Sequence, residues 1–87
     1  QMLSEGVRRD LMQRLRKIEG QARGIQRMIE EGRDCQEILD QLASVQVATR
    51  NVRRELAKAY LIRCLEEGRC FNDTGSLDSI VDLLVQV

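Results

Sequence analysis

The 87-residue chain contains no His, no Trp and no Pro, and it has one Tyr, one Phe and six Gly. Without His, imidazole acid–base chemistry, His-based hydrolase triads and every His-containing metal site are excluded. With two aromatic residues, the core has to be aliphatic. Without Pro, and with abundant Leu, Ile, Val, Ala, Glu, Arg and Gln, the composition favours helix throughout. No run approaches the ~20 apolar residues of a membrane span, and no signal peptide is visible. The expectation is one soluble, cytoplasmic domain over residues 1–87 with no membrane partner. Fourteen basic and fourteen acidic residues cancel, so net charge exerts no overall pull toward nucleic acid.

The charge is nevertheless polarised along the chain. Residues 1–28 carry seven basic groups (Arg8, Arg9, Arg14, Arg16, Lys17, Arg23, Arg27) against Glu5, Asp10 and Glu19. Residues 50–58 carry Arg50, Arg53, Arg54 and Lys58 against Glu55. These groups suit a phosphate-binding stripe or a solvated face laced with i,i+4 ion pairs, and on charge alone the solvated face is favoured.

The longest uninterrupted stretch runs from Asp34 to Glu67, with Gly68 as its stop signal. Ile38, Leu42, Val45, Thr49, Val52, Leu56 and Ala59 recur at helical spacing. The spacing predicts a helix over 35–67, with Asp34 and Glu37 as a capping-box variant. A first helix is expected over 7–31, with Val7, Leu11, Leu15, Ile18, Ala22, Ile25 and Ile29 as its seam. Gly20 and Gly24 interrupt that seam, and close approach of another helix would account for them. Glu30 to Arg33 turn the chain, which makes the two helices antiparallel neighbours. A short third helix is expected over 77–85, capped by Ser76. The fold class is all-α: three helices per protomer, with two hairpins pairing antiparallel into a four-helix-bundle dimer.

The three cysteines are Cys35, Cys64 and Cys70. Cys35 stands in the first turn of the long helix, where unpaired N–H groups and the macrodipole favour an anion. Cys64 stands in its last turn, one turn after Tyr60. On a straight helix the two are ~43 Å apart, whereas a disulfide needs Cα atoms within roughly 7 Å. They meet only if two copies of the helix pack antiparallel, and the joint site is then intersubunit and occurs twice per dimer. Alone, Cys35 reads as well as a small buried apolar residue, and Cys64 reads more readily as core than as a ligand. Cys70 is read as incidental in preference to a resolving thiol. No catalytic base or closed catalytic cluster is visible, so the chain is not read as an enzyme. A helical interaction module without DNA binding stands as a rival reading from another class.

The stretch RLRKIEGQARGIQRMIEEGRDCQEILDQLASVQVA, Arg14 to Ala48, resembles the CsoR family of repressors. The likeness continues through YLIRC, Tyr60 to Cys64, and LDSIVDLLV, Leu77 to Val85. It implies an all-helical, disc-like dimer of dimers that represses transcription without a helix-turn-helix. Copper sensors of the family resemble Cys…His…Cys, with the His four residues before the second Cys; that position is Tyr60 here. Two cysteines with the His lost is similar to the CstR branch, which senses persulfides and polysulfides. The resemblance therefore implies a persulfide-responsive repressor that releases its operator on forming a Cys35–Cys64 intersubunit di- to tetrasulfide. Tyr60 and Cys70 stand as accessory candidates, and no cofactor is expected. The alternative keeps the fold and makes Cu(I), held by Cys35 and Cys64, the inducer. For operator DNA the resemblance points to Arg14, Arg16, Lys17, Arg50, Arg53 and Arg54.

Overall fold

A computed structural model describes residues 3–68. They form two helices, α1 (Glu5–Glu30) and α2 (Cys35–Glu67), and no strand. The third helix expected over 77–85, its cap Ser76 and Cys70 lie outside the described residues. Neither described helix is long and apolar enough to cross a membrane.

The bounds follow local chemistry. Ser4 caps α1, its hydroxyl accepting from the Val7 N–H at 3.2 Å, which starts the helix two residues before the expected Val7. Asp34 caps α2, its carboxylate accepting from the Gln36 N–H at 3.1 Å. The expected capping box is not formed, because Glu37 turns outward to the Arg33 guanidinium at 2.7 Å. Gly68 ends α2 in the left-handed region (φ 67°), its N–H donating to the Cys64 carbonyl at 2.8 Å. Gly32 (φ 68°) reverses the chain between the helices, a conformation that costs a side chain dearly. Val7 and Asp10 share one groove with Ala59 and Ile62, while Arg14 and Lys17 share another with Ala48. The start of α1 therefore lies against the end of α2, and the hairpin is antiparallel.

The seam of α1 differs from the expected one. Leu11 and Ile25 are buried, and Val7, Ile18 and Met28 are half-buried. Leu15, Ala22 and Ile29 are exposed, and their places against α2 are taken by Arg14 and Gln21, both half-buried. On α2, Ile38, Val45, Val52 and Ala59 are half-buried, whereas Leu42, Thr49 and Leu56 are exposed. Each expected seam is the sum of two stripes, and the hairpin covers only one of them. The other leaves Leu15, Ile29, Leu39, Leu42 and Leu56 open, from 42% (Leu56) to 60% (Ile29) exposed.

Among the described residues, no close approach accounts for the α1 glycines. A Cβ at Gly24 meets nothing within 4 Å, and one at Gly20 meets only the tip of Arg23 at 3.9 Å. Gly24→Ala is therefore expected to stabilise the hairpin by about 0.5–1 kcal/mol, since it removes only backbone entropy from the unfolded state. Urea unfolding measures this, and a fall in stability means that something other than the described residues packs on Gly24.

Candidate functional site

Two arrangements stand out on the hairpin. The first is the pair of thiols on α2. Cys35 is exposed and carries a free thiol. Cys64 is 4% exposed and disulfide-bonded. The residue pattern does not announce that bond, since cysteines this few read more readily as free thiols.

Helix geometry relates the two thiols. They are 29 residues apart on one unbroken helix, which at ~100° per residue returns Cys64 to within ~20° of the Cys35 direction. Tyr60, 25 residues from Cys35, falls within ~20° on the other side. The exposed Leu39 and Leu42 lie on the same side of α2. One stripe of α2 thus carries a cysteine at each end, with Leu39 and Leu42 on the same side beyond Cys35. Among the described residues, no three His, Cys, Asp or Glu side chains gather into a cluster able to hold a metal.

The second arrangement is basic. Arg14 and Lys17 line a cleft of about 320 Å³ between α1 and α2, together with Gln21, Ala48 and Asn51. Arg14 is anchored by Asp10, its Nε donating to Oδ2 at 2.9 Å. Lys17, Arg16, Arg50 and Arg54 make no ion pair among the described residues. Arg8, Arg9 and Arg23 are instead occupied by Glu5 and Glu19 one turn away. Arg50 and Arg53 line a second hollow with Val45, Gln46 and Thr49. Arg16 and Arg54 line neither. Of the six expected DNA-binding residues, the structure brings together Arg14 with Lys17 and Arg50 with Arg53, and it does not join the two pairs within one protomer. Charge patterning does not single out Gln21 and Asn51. A signal for Gln21 exists all the same, since it lies four residues after Lys17 and seven after Arg14, on the same helix face.

The fold and these two arrangements define an all-α hairpin protein with a basic cleft and a cysteine at each end of its long helix. The chain belongs to the metal-sensitive transcriptional repressor family, whose model matches residues 7–86. It is 44% identical over 54 residues to the copper-sensing transcriptional repressor CsoR of Bacillus subtilis (strain 168), covering 62% of this chain and 54% of that one. It is 46% identical over 52 residues to the copper-sensing transcriptional repressor RicR of Mycobacterium tuberculosis (strain ATCC 25618 / H37Rv), covering 60% and 54%. The chain thus matches about half the length of these curated relatives. No solved structure matches. The relatives are transcriptional repressors and not enzymes, in agreement with the sequence reading.

Proposed function

We propose that the protein binds operator DNA as an antiparallel dimer, assembling further as a dimer of dimers. It releases DNA when Cu(I) is captured by Cys35 of one subunit and Cys64 of the next. The observation that carries this reading is the placement of both thiols on one side of α2, at its two ends. A two-fold axis near the middle of α2 sets Cys35 of each copy beside Cys64 of the other, and the exposed Leu39 and Leu42 supply apolar surface for that pairing. The copper-sensing relatives favour Cu(I) over other inducers.

The donor set fits a soft monovalent cation held by two thiolates. No imidazole joins the two thiolates, because the chain has no His, and the Tyr60 phenol is a poor donor to Cu(I). Cys35 supplies an accessible thiol, and Cys64 becomes available once its disulfide is reduced. Cu(I) therefore acts on the reduced protein.

A specific observation favours a second reading. Tyr60 occupies the place where a copper sensor of the family resembles His, which leaves thiol chemistry without metal. In that case the Cys35 thiolate attacks the sulfane sulfur of a low-molecular-weight persulfide and expels the parent thiolate. The Cys64 thiolate then attacks the inner sulfur of the Cys35 persulfide, expels hydrosulfide and closes the intersubunit bond. Where Cys64 has itself become a persulfide by the same exchange, its terminal sulfur makes this attack, expels hydrosulfide and closes a trisulfide.

Titration of reduced protein on labelled operator DNA separates the readings. Under the first, one Cu(I) per protomer releases the DNA, and Tyr60→His tightens Cu(I) binding by supplying an imidazole. Under the second, Cu(I) leaves the complex intact, while glutathione persulfide produces covalent dimers with added sulfur mass. Absence of operator binding at low salt defeats both and leaves a helical interaction module.

A further inference from the structure

The cleft between α1 and α2 contains two primary amides that neither reading employs. Gln21 is half-buried in the helix seam, and Asn51 is exposed on the facing helix. Both line the same space as Arg14 and Lys17. Neither amide makes a side-chain hydrogen bond among the described residues. An apolar side chain would pack the seam better at position 21, and a polar group there is compensated only by water or a ligand. Ala48, the remaining lining residue, is too small to fill the space between them.

We propose that Gln21 and Asn51, together with Arg14 and Lys17, form a cradle for one phosphodiester group of duplex DNA. This rests on the operator-binding reading above and assigns two residues to it. The cleft is concave and receives a protruding group, whereas base edges lie at the bottom of grooves that admit convex elements such as a helix. Two cations beside two neutral N–H donors match phosphate oxygens, the usual target of contacts that position a protein on the duplex. Arg14, held by Asp10 at 2.9 Å, is already oriented, so less side-chain freedom is lost on binding.

The two kinds of donor leave different signatures. A cation that meets a phosphate displaces condensed counterions and steepens the salt dependence of binding. A neutral amide adds a hydrogen bond without displacing any. Binding of operator and random-sequence duplexes is measured by fluorescence anisotropy over a range of salt. Gln21→Met and Asn51→Ala are each expected to weaken both duplexes about three- to tenfold with the salt slope unchanged. Lys17→Ala is expected to lower the slope by about 1. Circular dichroism checks that the variants fold, and if Gln21→Met does not, Asn51→Ala at its exposed position decides the matter.

Unchanged affinity in the amide variants that fold, with the parent binding normally, overturns the cradle and leaves the operator reading standing. A loss confined to the operator also overturns it, because the amides are then reading bases. Inorganic phosphate that competes as well as the duplex overturns the assignment to a duplex. Failure of the parent to bind either duplex at low salt sinks the operator reading and the cradle together.

Discussion

Cys35→Ser is expected to leave operator binding within about twofold of the parent and to abolish its release by Cu(I). In the reduced parent, an inducer coupled to DNA by about 1–3 kcal/mol weakens the operator complex ~5–150-fold. Removing either thiol leaves a single donor, which holds Cu(I) too weakly for that coupling. Cys64→Ser is expected to behave alike in the response, although it also removes a side chain that is 4% exposed and so costs some stability.

The intersubunit character of the site has its own test. A mixture of Cys35→Ser and Cys64→Ser proteins, unfolded and refolded together, forms heterodimers. Each heterodimer carries one doubly mutated site and one intact site, made from Cys64 of the first chain and Cys35 of the second. Partial recovery of Cu(I) response in the mixture is the expected outcome. A mixture as inert as its components would place the two thiols in separate sites.

The second large effect concerns stability. Ile25→Ala is expected to destabilise the protein by about 2–4 kcal/mol, a large part of the ~5–15 kcal/mol that a domain commands. Ile25 is 7% exposed, and only Leu11, Ala57 and Cys64 are comparably buried among the described residues. Little apolar area is available to compensate for the cavity. Ile29, one turn later and 60% exposed, behaves differently in an isolated hairpin, where Ile29→Ala costs within about 0.5 kcal/mol. If a second chain covers the open stripe, the Ile29→Ala penalty appears only in the assembled species. The gap in melting temperature between parent and variant then grows with protein concentration. Urea and thermal unfolding at two concentrations distinguish the two positions.

The contrast between Ile25 and Ile29 marks how far the residue pattern reaches. Periodicity alone places α2 at Cys35–Glu67, because thirty-three residues without Gly or Pro between an Asp cap and a Gly stop allow little else. It also gives the reversal at Gly32 and the antiparallel hairpin, since a short link admits no other arrangement. It misplaces the start of α1 because Ser4 is informative only as a cap, and a cap is recognised by the N–H groups it satisfies. The capping box at Asp34 fails for a similar reason: Glu37 has a competing partner in Arg33, and sequence spacing does not rank the two.

The basic cleft shows the same division. Arg14 and Lys17 are legible as charges, but Gln21 and Asn51 become site residues only when α1 and α2 are laid side by side. Composition and spacing by themselves determined an all-helical chain without imidazole chemistry, with thiols at both ends of one long helix and cations on both helices. Tertiary structure alone decided that α1 turns Arg14 and Gln21 toward α2 while Leu15, Ala22 and Ile29 face outward. The physical reason is that α1 is apolar on two adjoining stripes. Either could have met α2, and the choice rests on the path of the turn and on how side chains from both helices fill a common seam, which one helix's periodicity does not contain.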